Sequence, residues 1–102
     1  MKRPKRFAAR RDAPDGFLDW VRTLWCVVPV EHEFRPVIEI AHVRSRGAGG
    51  NDFGNVVDLC SHHHREQHQI GIRSFEAKYN IDMAQEAQRL ATEWNNREDT
   101  HY

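Results

Sequence analysis

The stretch that decides the fold lies between residues 40 and 68 and reads IAHVRSRGAGGNDFGNVVDLCSHHHREQH. A β-branched segment, residues 37–43, precedes a loop rich in Gly and Asn over residues 44–55. A short apolar approach, residues 56–60, leads into a helix that is predicted over residues 62–69 and ended by Gly71. The segment therefore predicts a strand, a loop and a helix that carries a cluster of histidines.

Two histidines of this helix favour metal binding. His64 and His68 are four residues apart, so both imidazoles project from one helix face and can hold one divalent ion. The spacing resembles that of a zincin helix, but Arg65 stands where that motif has its Glu, so a zincin protease is not expected.

A second metal site is indicated by Cys60 and His63, whose C-x-x-H spacing is typical of half of a structural zinc site. Cys26 is the candidate third ligand, and His32 is the best candidate for the fourth. The alternative interpretation of Cys26 is a buried free thiol in a strand, which is common.

His42 stands at the end of a strand, directly before the Gly-rich loop. It is a candidate catalytic residue, and the alternative interpretation is a structural histidine.

The remaining elements are predicted from local patterns. Residues 25–28 are predicted to be a strand, joined to residues 37–43 by a connection over 31–35. Helices are expected after three caps, which are Asp15, Ser74 and Asp82, and Ser61 is expected to cap the histidine helix. One face of the last helix is apolar and consists of Met83, Ala87, Leu90, Ala91 and Trp94.

Length and charge set the domain organisation. The chain has 102 residues, of which 39% are hydrophobic and 29% are charged, which fits one domain with a modest core. We expect a basic flexible arm over residues 1–14, one domain over 15–98 and a tail over 99–102. The first eleven residues hold six basic and no acidic side chains, so an anionic partner or a solubilising tail is expected there. No apolar run approaches the roughly 20 residues of a membrane span, and no signal peptide is expected.

Several spaced residues together resemble the HNH endonucleases, most of all the small zinc-stabilised kind found in phages and prophages. They are Ala41-His42-Val43-Arg44, Gly49-Gly50, Gly54-Asn55-Val56-Val57 and Leu59-Cys60-x-x-His63-His64-x-x-x-His68. The resemblance implies an α+β fold with a ββα-metal (His-Me finger) core. That core has a two-stranded hairpin, a Gly-rich loop and a metal-binding helix, here flanked by additional helices.

The resemblance also implies roles for the site residues. His42 would be the general base, and Asn55 would fix the loop and help to orient that base. His64 and His68 would hold one catalytic divalent cation, which could be Mg, Mn, Ni or Zn. The structural zinc would be held by Cys26, Cys60 and His63, with His32 as a further candidate.

The implied function is metal-dependent hydrolysis of DNA phosphodiester bonds. Arg44, Arg46, Lys5 and Arg6 are candidate contacts to phosphate. We expect weak sequence preference, targeting by a protein partner or a homodimer, no membrane partner, and a location in the cytoplasm of a bacterial host.

Two features depart from the family pattern. Ala41 stands where many relatives have Asp or His as a further metal ligand, and no second cysteine follows Cys26 closely. The first departure favours an alternative, a zinc-stabilised DNA-binding or adaptor module without catalysis. A third interpretation is a helical interaction protein whose histidines bind metal adventitiously.

Overall fold

The computed structural model describes residues 13–32, 36–44 and 52–99. Residues 98 and 99 are described by their backbone alone. Two strands, β1 (Ile38–His42) and β2 (Val56–Cys60), follow a short helix α1 (Phe17–Arg22). Three helices come after them, α2 (Ser61–Ile70), α3 (Ile72–Tyr79) and α4 (Met83–Asp99). A hairpin followed directly by a helix, with further helices around it, confirms the predicted α+β class and its ββα core.

The hairpin places two predicted site residues, His42 and Cys60, at its opposite ends. The strands are antiparallel, and their register runs from Ile38 opposite Cys60 to His42 opposite Val56. His42 therefore stands at the loop end of the hairpin, whereas Cys60 stands at the end that continues into α2. Because α2 starts at once, its histidines are held close to β1.

The predicted strand over residues 25–28 is wrong, and β2 takes its place as the partner of β1. This segment is irregular and meets β2 through one backbone bond, in which Val27 N donates to Asp58 O at 2.8 Å. Val30 N then donates to Val28 O, which turns the chain. Cys26 and Val28 are nonetheless buried. The apolar character of this segment thus reflects burial and not strand pairing.

Three helix starts differ from the predicted caps. Gly16, with a positive φ of 89°, is the N-cap of α1 in place of Asp15. Cys60 caps α2 in place of Ser61, because its Sγ accepts from His63 N at 3.4 Å. The third helix begins at Ile72 rather than after Ser74.

The start of the last helix agrees with the prediction, since Asp82 Oδ1 accepts from Gln85 N at 3.0 Å. All five predicted core residues of α4 are buried, namely Met83, Ala87, Leu90, Ala91 and Trp94. Helix α4 packs on β2 and thereby supports the hairpin.

The core of the described residues forms two clusters. One contains both cysteines with Phe75 and Met83, and the other joins Phe17 to Trp94. None of the helices in the described ranges is long and apolar enough to cross a membrane.

Candidate active site and metal centre

A cleft of about 530 Å³ lies between the end of β1 and helix α2. It is lined by Ile40, His42, Val43, His64, Gln67, His68 and Ile72. The structure therefore brings together three histidines that the sequence singled out for chemistry. One of them comes from the hairpin, and the other two come from successive turns of α2.

His42 has a carboxylate partner. Its Nε2 lies 2.8 Å from Oδ1 of Asp52, a distance typical of a charge-assisted hydrogen bond. The side chain of Asp52 is 12% exposed and that of His42 is 28% exposed. The histidine thus keeps one side towards solvent while a mostly buried carboxylate holds the other.

Asn55 joins the two ends of the loop that follows His42. Its Oδ1 accepts from Arg44 N and its Nδ2 donates to Arg44 O, both at 2.9 Å. Its backbone carbonyl also accepts from Val43 N at 2.8 Å. These three bonds fix the backbone directly after His42, an arrangement that suits the role expected of Asn55.

The turn over residues 52–55 is itself anchored to two helices. The ring of Phe53 packs edge-on against Phe17 of α1, with centroids 4.9 Å apart. Gly54 has a φ of 82°, and its carbonyl accepts from Gln88 Nε2 of α4 at 3.3 Å. A Cβ at this glycine would lie 3.1 Å from the same Gln88 nitrogen. Side chains on α1 and α4 therefore hold the turn that contacts His42.

His64 is oriented in the same manner. Its Nδ1 lies 2.8 Å from Oε1 of Glu39, and Oε2 of that carboxylate accepts from the Ser61 hydroxyl at 3.0 Å. The hydrogen bond from His64, followed by that from Ser61, lowers the pKa of Glu39. Since Nδ1 is engaged, Nε2 of His64 is the nitrogen left for a metal ion.

The two predicted metal ligands of α2 lie next to each other in the cleft. The rings of His64 and His68 lie with centroids 4.9 Å apart, and both side chains line the cleft beside His42. Two imidazole ligands leave several coordination positions for water and phosphate oxygens, which a catalytic ion needs.

Four other donors form a separate, compact group at the opposite end of the hairpin. Their ligand atoms all lie within 4.8 Å of one another, and the residues are Cys26, His32, Cys60 and His63. Nδ1 of His63 lies 3.1 Å from Cys60 Sγ, 3.3 Å from His32 Nε2 and 3.7 Å from Cys26 Sγ. The four predicted candidates, including His32, are thus brought together.

These distances fit a tetrahedral ion. Bonds of about 2.0 Å to nitrogen and 2.3 Å to sulfur place neighbouring ligand atoms about 3.3 to 3.8 Å apart. A set of two thiols and two imidazoles is a usual set for structural zinc. The group therefore has the geometry and the chemistry of a closed metal site.

Burial dominates the electrostatics of this group. It raises the pKa of the Cys26 thiol to about 11, and it is the largest cause that lowers the pKa of His63, followed by the neighbouring His32. The ring of His63 packs against Tyr79 and Phe75 of α3, with centroid distances of 5.3 and 6.5 Å. A bound cation would compensate for placing these donors in an apolar core.

Ala41 does not face the cleft. It is fully buried in the core cluster that contains Val57, Leu59 and Cys60. Its small side chain is therefore accounted for by packing in this fold.

The candidate DNA contacts are only partly covered. Arg44 is exposed and follows Val43, which lines the cleft, whereas Arg46, Lys5 and Arg6 lie outside the described residues.

Two site residues were not found from the sequence, Asp52 and Glu39. Asp52 stands three residues before Asn55, a spacing that indicates a turn but not a contact with His42 ten residues earlier. Glu39 belongs to a strand, and no local pattern links it to His64. The Glu39 contact depends on how the hairpin meets α2, and the Asp52 contact depends on how the turn over residues 52–55 is held against β1.

A comparison with protein families agrees with this geometry. A family model described as "Putative HNHc nuclease" matches residues 19–92, which is well over half of the chain. The chain belongs to the HNH nuclease family. The matched range of this HNH protein contains the cleft histidines, Asn55 and all four donors of the second group. No curated protein and no solved structure matches the chain.

Proposed function

We propose that this HNH protein is a metal-dependent endonuclease that hydrolyses DNA phosphodiester bonds. The observation that carries the proposal is the shared cleft, which is lined by His42 together with His64 and His68 of α2. Two of the three histidines have a carboxylate partner at 2.8 Å. Such support is typical of histidines that act chemically or bind metal.

In the proposed mechanism His42 is the general base. A neutral imidazole can take a proton from water near neutral pH. Asn55 holds the backbone after His42 through its bonds to Arg44, so that the imidazole keeps its place in the cleft. His64 and His68 hold the divalent ion, and Glu39 orients His64.

A bound Mg, Mn, Ni or Zn ion would stabilise the charge on the scissile phosphate and on the leaving 3′-oxygen. We assign the second group to structural zinc, held by Cys26, His32, Cys60 and His63. It ties the irregular segment over residues 25–32 to the hairpin and to α2, so it acts on stability and not on the reaction.

For the partner, we propose DNA bound mainly through phosphate. Arg44 next to the cleft, together with Arg46, Lys5 and Arg6, supplies the positive charge for such contacts. Phosphate contacts carry no sequence information, so we propose weak sequence preference, with targeting by a protein partner or a second copy. The proposed setting is the cytoplasm of a bacterial host, with the protein encoded by a phage or prophage.

Plasmid cleavage tests the function. Purified zinc-loaded protein is assayed with EDTA and after return of Mg, Mn, Ni or Zn, beside the variant His42→Ala. We expect metal-dependent cutting that His42→Ala abolishes while DNA binding and zinc content remain. His62→Ala is the matched control, because this exposed neighbour on α2 does not line the cleft.

The result that overturns the proposal is the absence of cutting with every ion. If zinc and DNA are still bound in that case, the protein is the non-catalytic DNA-binding module instead. Cutting by His42→Ala at the wild-type rate would remove His42 as the base.

A further inference from the structure

We propose that Asp52 is a positioning residue that holds His42 in the tautomer required of a general base. The inference rests on the proposed nuclease function, since it concerns the same histidine. In this role Asp52 determines which ring nitrogen of His42 takes the proton from water.

The hydrogen bond decides the tautomer. A carboxylate oxygen can only accept, so Nε2 of His42 must carry the proton that is shared with Asp52 Oδ1 at 2.8 Å. In a neutral imidazole only one nitrogen carries a proton, and Nδ1 is then the one with a free electron pair. Without the carboxylate both tautomers are open to the ring, and only one of them presents Nδ1 as a base.

Asp52 is suited to this task because its position is fixed. Its backbone carbonyl accepts from Asn55 N at 3.1 Å, which closes the turn over residues 52–55. Phe53 and Gly54 connect the turn to α1 and α4 through the contacts described above. Asp52 and Asn55 therefore belong to one rigid turn, of which one residue sets the His42 ring and the other sets the backbone that follows it.

The proton inventory of the proposed step balances. Nδ1 of His42 takes one proton from water as the water oxygen bonds to phosphorus. The bond from phosphorus to the 3′-oxygen breaks, and that oxygen leaves with the electron pair and gains a proton from solvent. The imidazolium that forms has its Nε2–H on Asp52, whose negative charge stabilises it, and it later returns its proton to solvent.

The first test is spectroscopic and needs no cleavage. Zinc-loaded full-length protein labelled with ¹⁵N is examined for the two ring nitrogens of His42 in long-range ¹H–¹⁵N spectra, with His42→Ala used to assign the signals. We expect the Nε2–H tautomer in the wild type and loss of that preference in Asp52→Ala. An Nδ1–H tautomer in the wild type, or no change in Asp52→Ala, would overturn the proposal.

The second test separates positioning from binding. We expect Asp52→Ala to lower kcat roughly 10-fold to 100-fold and to leave KM unchanged, because the tautomer matters only when the proton moves. Asp52→Glu, which keeps a carboxylate, should recover part of kcat. Asp15→Ala is the matched control, since this exposed acid lies in the same surface recess as Asp52 but makes no described contact with His42.

The outcomes separate the two proposals. Wild-type kcat in Asp52→Ala, while His42→Ala is inactive, overturns the role of Asp52 and keeps the nuclease. A wild type that never cuts overturns the nuclease, and the ¹⁵N spectra still decide whether Asp52 sets the tautomer. If Asp52→Ala does not fold, Asp52→Leu, which fills a similar space without a hydrogen-bond acceptor, takes its place, and an unchanged Nε2–H preference there overturns the proposal.

Discussion

Glu39 Oε1 and His64 Nδ1 lie 2.8 Å apart and join strand β1 to helix α2 across the hairpin. The same carboxylate accepts from the Ser61 hydroxyl in the first turn of α2. A hairpin residue thus sets the orientation of His64, the proposed metal ligand, whose ring the helix alone leaves free to rotate. This contact couples the fold of the hairpin to the chemistry of the cleft.

Glu39→Gln should weaken the binding of a divalent ion in the cleft and should leave the proposed structural zinc in place. An amide is a poorer partner for the His64 ring, and loss of such support typically lowers metal affinity about 10-fold to 100-fold. Titration of Mn²⁺ into zinc-loaded protein without DNA measures the change. Glu93→Gln, on the exposed face of α4, is the control and should bind Mn²⁺ as the wild type does. Equal affinity in Glu39→Gln and Glu93→Gln would contradict this role of Glu39.

Asn55→Ala should reduce both cleavage and stability. The variant loses both side-chain bonds to the Arg44 backbone, each with a net contribution of about 1 kcal/mol, so the melting temperature should fall by about 10 °C. A displacement of His42 on the order of 1 Å can lower kcat about 100-fold. Melting and cleavage are measured on the same preparation and compared with those of Asn95→Ala, a substitution at an exposed position of α4. Unchanged kcat at a lowered melting temperature would show that Asn55 is structural only.

Cys60→Ser should release the proposed structural zinc and destabilise the fold. Cys60 contacts His63 Nδ1 and also caps α2, so both the ion and the helix start lose a partner. Structural zinc contributes directly to folding free energy, and a loss of about 2 kcal/mol lowers the melting temperature by about 10 °C in a domain of this size. Zinc content and melting are measured beside Gln69→Ala, whose residue is exposed on α2. A full zinc content and wild-type melting in Cys60→Ser would refute the site.

Asp58→Asn should stabilise the protein, and more so at higher pH. Asp58 is almost fully buried, and burial raises its pKa from 3.8 to about 7. A raised pKa means that the folded state holds the proton more tightly than the unfolded state does. The carboxyl therefore lowers stability as pH rises from about 4 to about 7, and its full cost is present above that range.

The neutral amide removes this dependence. We expect a gain on the order of 1 kcal/mol, or about 5 °C in melting temperature, at pH 8 and a smaller gain at pH 5. The difference between variant and wild type at each pH is the relevant quantity, because ionisations common to both proteins cancel in it. An equal or larger gain at pH 5 would contradict the assignment.

Local sequence determined what depends on neighbours along the chain. The spacing of His64 and His68 places them on one face of α2, because a helix repeats every 3.6 residues. The apolar positions of α4 are buried for the same reason, and the C-x-x-H spacing brings Cys60 to His63 within one helical turn. The family resemblance added the hairpin core, which the fold confirms.

Only the tertiary structure decided the contacts between distant segments. In the structure Val56–Cys60, and not residues 25–28, pairs with β1. Both segments contain β-branched residues, which favour a strand in either place. The segment that forms the strand is the one on which α4 packs. The tertiary structure also placed Asp52 on His42, Glu39 on His64 and His32 on His63. These pairs are 10 to 31 residues apart, and no local periodicity specifies them. They form because the hairpin, the turn and α2 pack into one geometry, which gives each histidine its partner.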